Sequence, residues 1–393
     1  MLPMMRDPTP ASRLATVLHV FPTFGVGGVQ VRIATLMNRL GARYRHEVLA
    51  LDGCFDARSR VDAGVAYGEK SADARADLLR TLIKARSTLR GLRPEVLLTY
   101  NWGAIEWALA NTLAPICPHV HLESGFGVEE ADGQLWRRAL MRRVALARSD
   151  RLVVPSETLA DLAREVWKIP AGKTLVVPNG VDVVRFAAEA GVTTALFRAA
   201  PSEVVIGTVA PLRPEKRLSR LLRVVARVRQ HHQTVRLVIA GNGPERTALE
   251  SEAAALGLGG SIRFLGHVDA VETILPGFDI FALMSDTEQM PNSVLQAMAA
   301  ARPVVATDVG DVSRIVAPEN RPFVCPRHDE DRLADVVIRL ALDAGLRRRL
   351  GQRNRERVCR DFALDTMVCR YQAILDEAVA GPRATGFVAG KAG

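Results

Sequence analysis

Apolar runs of strand length alternate with helix-period segments through most of this chain, and that rhythm restricts its fold more than any other feature. In the first half the strand-like runs are Thr16–Phe21, Glu47–Leu51, Val96–Tyr100, His119–Glu123, Arg151–Val154 and Leu175–Val177. Helical spacing fills the gaps, as in Val29–Leu40, Asp73–Leu89 and Leu135–Ala147. In the second half the runs are Val204–Val209, Arg236–Ala240, Ile262–Leu265, Ile280–Met284 and Val304–Ala306. Strand–helix alternation of this kind builds parallel sheets through right-handed crossovers. The fold class is therefore α/β, with two parallel-sheet domains. An Ala-rich stretch without a clear strand, Val184–Ser202, separates them. The expected bounds are 14–184 and 203–362. Beyond Val304 the pattern is mostly helical, over Asp329–Leu342, Leu346–Cys359 and Leu364–Val379. The Gly- and Pro-bearing tail, 381–393, is expected to fray.

At 393 residues, 48% of them apolar, each half can bury its own core. The cysteines Cys54, Cys117, Cys325, Cys359 and Cys369 are scattered, and none forms a Cys-x-x-Cys pair. That pattern points to a reducing compartment, without a disulfide framework or structural zinc. Met1–Ser12 lacks a signal-peptide pattern, and no run reaches the roughly 20 apolar residues of a membrane span. The expectation is a cytoplasmic protein, at most resting on the inner face of a membrane. Lys and Arg exceed Asp and Glu by 52 to 43, a formal charge of +9. The excess clusters over Arg213–Arg229, Arg137–Arg148 and Arg347–Arg360. Such clusters either attract phosphates and anionic lipid heads or form solvated helix faces. Nucleic acid is a poor fit, because aromatic residues are only 5% of the chain and do not interleave with the cations.

The densest chemistry lies in Ser285–Gly310. Glu288 falls in a loop after a strand, and Pro291 and Asn292 mark a helix start, with Asn292 able to cap. The helix is expected over Ser293–Ala300 and is stopped by Pro303. A carboxylate beside a helix start at the carboxyl edge of a sheet suits an anionic ligand. Three further turns share that geometry. Phe24-Gly25-Val26-Gly27-Gly28-Val29-Gln30 follows the first strand and opens a helix. Gly241-Asn242-Gly243-Pro244-Glu245 follows Arg236–Ala240, with Pro244 as the expected helix start. Val209-Ala-Pro-Leu-Arg213-Pro-Glu-Lys216 brings cations to the same kind of turn. Glycines let backbone N–H groups approach a ligand closely. The first Gly turn lacks the dinucleotide-fingerprint spacing, and no acid follows at the expected ribose position, which argues against a nicotinamide enzyme. Lys216 is either a diphosphate ligand, each such bond contributing roughly 1.5–3 kcal/mol, or a solvated helix-start lysine. His121, at a strand end, suits substrate binding or proton handling; the other reading is a hydrogen-bonded interior histidine. The segment Leu135–Arg148 alternates Arg pairs with Leu135, Trp136, Ala139, Leu140, Met141, Val144 and Leu146, the pattern of a membrane-surface helix or of an ordinary packed helix with an Arg-covered face.

Together these segments resemble the retaining nucleotide-sugar glycosyltransferases of glycosyltransferase family four (group 1), over about Val17–Ala378. The matching segments are the Gly27-Gly28 turn, His121, Val177-Pro-Asn-Gly-Val-Asp182, Arg213-Pro-Glu-Lys216, Gly241-Asn-Gly-Pro-Glu245, Phe264-Leu-Gly-His-Val268 and Glu288-Gln-Met-Pro-Asn292 running into Gln296. The resemblance implies the GT-B fold, two Rossmann-like domains facing across a cleft, with the helix 364–379 returning to the first. It implies a nucleotide-diphosphate sugar as donor, and a carbohydrate or lipid-linked acceptor in polysaccharide or glycolipid biosynthesis. It implies no cofactor and no required divalent metal. By the same resemblance Arg213 and Lys216 hold the diphosphate, the backbone of Asn292, Ser293 and Val294 caps it, and Glu288 bonds sugar hydroxyls. Gly241, Gly243 and Val268 line the donor site, Gly27 and Gly28 touch phosphate, and His121 faces the reacting centre.

Two positions depart from the family pattern. Gln296 stands where the family has a second glutamate for the ribose hydroxyls, and its amide accepts without charge. Pro211 stands where an arginine is usual, leaving Arg213 to take that role. These departures motivate an alternative, a non-catalytic binding or partner subunit. A nucleotide-sugar epimerase is a further alternative, for which no additional acid–base carboxylates are placed.

Overall fold

The structure, a computed structural model, describes residues 13–41, 43–71, 77–126, 130, 133–187, 197–198, 200 and 202–381. The first sheet has seven strands: β1 (Ala15–Phe21), β2 (Tyr44–Ala50), β3 (Tyr67–Ser71), β4 (Val96–Tyr100), β5 (His119–Leu122), β6 (Arg151–Val154) and β7 (Thr174–Val176). Their order is β3-β2-β1-β4-β5-β6-β7. From β3 to β5 every pairing is parallel. The helices along this half are α1 (Gly28–Leu40), α2 (Leu78–Leu92), α3 (Ile105–Leu113), α4 (Trp136–Ala145) and α5 (Glu157–Glu165).

The second sheet has β8 (Val204–Val209), β9 (Val235–Ala240), β10 (Ile262–Gly266), β11 (Ile280–Leu283), β12 (Val304–Thr307) and β13 (Val324–Cys325), in the order β10-β9-β8-β11-β12-β13. All its pairings are parallel. Its helices are α6 (Leu218–His231), α7 (Arg246–Ala255), α8 (Val271–Ile274), α9 (Asn292–Ala299), α10 (Val312–Ile315), α11 (Glu330–Leu342), α12 (Ala344–Asp361) and α13 (Leu364–Ala380). Its two faces bury separate apolar clusters. One face holds Ile206, Leu237 and Ile280 against Leu221 and Val225 of α6; the other holds Val205, Phe281 and Val304 against Leu295 and Met298 of α9. Burial on both faces explains why these strands read as continuous apolar runs.

Two strands escape the sequence pattern. β3 reads Tyr-Gly-Glu-Lys-Ser, a polar edge strand paired only to β2, and β13 is two residues long. Boundaries move by a few residues elsewhere. Asn292 is the first residue of α9 and not its cap; Pro291 holds the cap position and no side chain caps the helix. The helix expected at Pro244 begins at Arg246, because the Glu245 N–H turns to the Leu212 carbonyl (3.1 Å).

By packing, the described residues divide into two units: 13–122, 141–152 and 372–381 in one, and 123–140 with 153–371 in the other. The expected first domain, 14–184, is thus cut at three points. In the second unit the Val181 N–H bonds the Phe362 carbonyl (3.0 Å), and Gly180 leaves room for Leu364, whose Cα lies 2.8 Å from where a Cβ would stand. In the first unit Asp376 of α13 accepts from the Tyr44 hydroxyl and pairs with Arg43 (3.3 Å), while Glu377 pairs with Arg151. Of the expected tail, only Gly381 is among the described residues. Most of the stretch 188–201 also lies outside them.

The arginine clusters are largely absorbed by the fold. On α6, Arg223 pairs with Glu330 (2.7 Å) and Glu252 (3.3 Å), and Arg227 pairs with Asp331. On α12, Arg355 donates to the Ala299 carbonyl at the end of α9 (2.6 Å), and Arg347 to Leu340 near the end of α11 (2.6 Å). Cations at helix carboxyl ends satisfy orphan carbonyls and complement the dipole.

Candidate active site

In an open α/β sheet, ligands settle outside the carboxyl ends of the strands, where the strand order reverses. In the second sheet that point lies between β8 and β11. Lys216 follows β8 in a short turn, Pro214–Lys216, and Glu288 follows β11. Their side chains meet, with Lys216 Nζ 2.5 Å from Glu288 Oε1, at 18% and 13% exposure. The Ser285 hydroxyl donates to the same oxygen (2.8 Å), and the Ser285 carbonyl is held by the Thr307 hydroxyl (2.6 Å). The turns are tied together as well, since the Asp286 N–H bonds the Glu215 carbonyl (2.9 Å).

Neighbouring charge braces this pair. Arg220 donates to the Met284 carbonyl (2.6 Å) and to Asp286 Oδ1 (2.8 Å), and Arg217 also bonds Asp286. Burial alone would raise the Asp286 carboxyl; hydrogen bonds from Arg217 and Arg220 outweigh it and hold the group below the usual carboxylate range. Arg217 and Arg220 are therefore structural partners of Asp286, while Arg213 is exposed and pairs with no carboxylate among the described residues.

The remaining expected donor-side residues lie on the same sheet edge. Gly241 and Gly243 follow β9, and their missing side chains are occupied by protein. A Cβ on Gly241 (φ +146°) would stand 1.8 Å from the Ala210 carbonyl oxygen, and one on Gly243 2.4 Å from that of Leu212. These glycines dock the β9 turn against the 210–212 loop. Val268, after β10, is half-buried against the cluster containing Phe281. Asn292, Ser293 and Val294 form the first turn of α9; Val294 is buried, and Gln296 on the next turn is half-buried. A cavity of about 450 Å³ opens beside Glu288, lined by Thr158, Asp286, Gln289, Asp308 and Arg327 among others.

The structure adds residues that the sequence reading passed over. Gly310 (φ +54°) lies so close under the Glu288 loop that a Cβ would stand 2.2 Å from the Glu288 carbonyl oxygen. Asp311, buried, accepts from the Glu157 and Thr158 N–H groups (2.7 and 3.1 Å) and the Thr158 hydroxyl (2.6 Å), while its own N–H bonds the Gln289 carbonyl (3.1 Å). It joins the start of α5 to the Glu288 loop. Asn179, inside Val177-Pro-Asn-Gly-Val-Asp182, donates to the Met290 carbonyl (3.0 Å) at the other end of that loop. A Gly followed by Asp after a buried strand was the available signal for the first pair.

On the first sheet the order reverses between β1 and β4. Gly27 caps α1 in extended conformation and Gly28 begins it, at the end of the loop that follows β1. Asn101, after β4, takes φ +54°, a conformation unusual for a residue with a side chain. His121 lies on β5, fully buried, with Nδ1 2.7 Å from the Thr99 hydroxyl, which also meets His119 Nε2 (2.8 Å). On the opposite face His19 bonds Tyr100 (2.7 Å) and His46 (3.0 Å). Burial pushes His119 down to about 3, with the charge of His121 adding to it; burial pushes His46 down to about 4 and His19 well below its usual value. The structure thus gathers Lys216, Arg213, Glu288, Asn292, Gln296 and their neighbours on the second sheet, and places Gly27, Gly28 and His121 on the first. Among the described residues no group of three or more His, Cys, Asp or Glu side chains could hold a metal ion, and no helix is long and apolar enough to cross a membrane.

Two parallel α/β sheets, each with a switch point at its carboxyl edge, match the GT-B architecture, and comparison with known proteins bears that out. Residues 26–185 match the family described as Glycosyltransferase Family 4, and residues 197–357 match Glycosyl transferases group 1. The chain belongs to that glycosyltransferase family. It is 26% identical to an N-acetyl-alpha-D-glucosaminyl L-malate synthase of Bacillus anthracis, over 59% of this chain and 61% of that one. It is 28% identical to a D-inositol 3-phosphate glycosyltransferase of Salinispora arenicola, over 72% of this chain and 66% of that one. The matched region is thus just under two thirds of each of these relatives. Anabaena Alr3699/HepE, solved with UDP and glucose, superposes with a TM-score of 0.79 over 92% of this chain and 99% of its own, at 16% identity. At that identity the likeness concerns the fold.

Proposed function

We propose that this protein transfers a sugar from a nucleoside-diphosphate sugar to a hydroxyl acceptor, with retention of anomeric configuration. The observation that carries this reading is the contact between Lys216 and Glu288 at the β8/β11 switch point. Cleavage of the sugar–phosphate bond leaves a diphosphate, and fixed cations stabilise the charge that develops there. Lys216 and the exposed Arg213 supply cations, and the uncapped start of α9 supplies the positive end of a helix dipole. A divalent ion is not required in this reading. Glu288, relieved of Lys216 by the diphosphate, accepts hydroxyl hydrogens of the sugar. The acceptor hydroxyl attacks the face from which the diphosphate departs; its oxygen bonds the anomeric carbon and its proton passes to a leaving phosphate oxygen. Gln296 takes the ribose hydroxyls through its amide oxygen. His121, hydrogen-bonded to Thr99, contributes by holding the β5 end in place.

A complex with UDP and glucose in HepE, and sugar-transferring names among the relatives, support a nucleotide-hexose donor. The acceptor class is a carbohydrate or a lipid-linked saccharide, consistent with polysaccharide or glycolipid assembly. The test is a donor screen by thermal shift over uridine, guanosine and adenosine diphosphate sugars, followed by initial rates. A true donor at 100 times its dissociation constant raises stability by about 2.7 kcal/mol. Lys216→Ala should then lower the rate by about 100-fold or more. Undiminished transfer by that variant overturns the reading.

A further inference from the structure

The helix α4 separates the side chains of Leu135–Arg148 in a way the sequence alone did not resolve. Ala139, Ala145 and Leu146 are buried. Trp136, Leu140 and Val144, spaced four residues apart along one side, stay 70%, 51% and 46% exposed. The arginines divide too. Arg142 is buried over the Trp102 ring (5.0 Å), and Arg138 pairs with the buried Glu130 (3.4 Å). Arg137 and Arg143 face outward, and Arg137 lies over the Trp136 ring (5.3 Å), whereas Arg148, beyond the helix, donates to the Thr112 carbonyl (3.3 Å). No acidic residue occurs anywhere in 135–148.

A short helix of this kind, with an exposed aromatic–aliphatic stripe bordered by arginines alone, suits the boundary between headgroups and acyl chains. Tryptophan favours that depth because one end of its ring system is apolar and the other is wet. We propose that α4 docks on an anionic lipid bilayer, with Trp136, Leu140 and Val144 seated at the acyl boundary and Arg137 and Arg143 against lipid phosphates. A second copy of this chain fits the stripe less well, because a two-fold contact across α4 would set unpaired arginines against arginines. The inference does not rest on sugar transfer, so it stands or falls separately from it.

The experiment is co-sedimentation of the full chain with vesicles of phosphatidylcholine alone and of phosphatidylcholine with phosphatidylglycerol. Pelleting is expected only with the anionic vesicles, weakening as salt is raised. Trp136→Glu/Leu140→Glu and Arg137→Glu/Arg143→Glu should each lower partitioning by about ten-fold or more, since both the apolar and the charged contributions are needed. Their thermal midpoints should match the parent, because the altered side chains are exposed. Equal pelleting on neutral vesicles, no pelleting at all, or unaltered pelleting of either double variant overturns the proposal. A dimer that Trp136→Glu/Leu140→Glu dissolves, without vesicle binding, overturns it in favour of a second copy.

Discussion

The two sheets carry their polar chemistry differently. On the second sheet it stands at the strand ends as charge: Lys216 against Glu288, and Arg217 and Arg220 against Asp286. On the first sheet it is buried among the strands as hydrogen bonding: His19 with Tyr100 and His46, and Thr99 with His119 and His121, with burial disfavouring the charged forms of His19, His46 and His119. Charge at an edge is available to a ligand, whereas neutral imidazoles inside a sheet fix the positions of strand ends. In the proposed function the second sheet bears the groups that meet an anion, while the first bears a frame in which burial disfavours charge on His19, His46 and His119.

That contrast can be broken most forcefully at the β9 turn. Gly241→Ala puts a methyl group 1.8 Å from the Ala210 carbonyl oxygen at φ +146°, and backbone cannot yield as a side chain can. Denaturant unfolding should show a loss of about 3 kcal/mol or more. A near-neutral result would mean that the 210–212 loop is not the rigid wall described. Acid sharpens the contrast from the other side. His46 and His119 have folded values of about 4 and 3, below the ordinary 6.5, so the unfolded chain binds more protons between those limits. Stability should be full above pH 6.5 and fall as pH drops toward 4, each such histidine adding a slope of about 1.4 kcal/mol per pH unit. Chemical denaturation from pH 7 to 4.5 reads this, and His46→Gln/His119→Gln should flatten the curve; an unchanged slope would remove the histidines as its source. The smallest effect belongs to Asp311→Ala, which strips the start of α5 of its carboxylate partner. A loss of about 1–2 kcal/mol is expected by the same unfolding measurement, and none at all would show that water replaces the carboxylate without cost.

Much of the fold was legible because buried parallel strands announce themselves. Val96–Tyr100, Arg151–Val154 and Val204–Val209 appear where the apolar runs placed them. Edge strands were not legible, since β3 packs little and carries Glu69 and Lys70. The individual site residues could be picked out by their turns, and the family resemblance put Lys216 and Glu288 on one donor, but local pattern alone did not bring them together. Lys216 and Glu288 become neighbours only because β8 pairs directly with β11, skipping β9 and β10 in the sequence, and pairing order is a long-range property that local pattern does not encode. Gly241 and Gly243 show the same limit in reverse. Their spacing suggested a close backbone approach to phosphate; the structure adds that a Cβ on either would meet the chain's own carbonyls, of Ala210 and of Leu212.

The shared oxygen of Glu288 has a consequence for selectivity. In the resting protein the lysine is already neutralised, so a stray inorganic anion must part a short contact before it can enter, leaving a carboxylate stranded. A molecule that brings a negative group for one side and hydroxyls for the other replaces both halves at once. On the proposed function the closed pair is a lock with two pins, turned by bifunctional ligands.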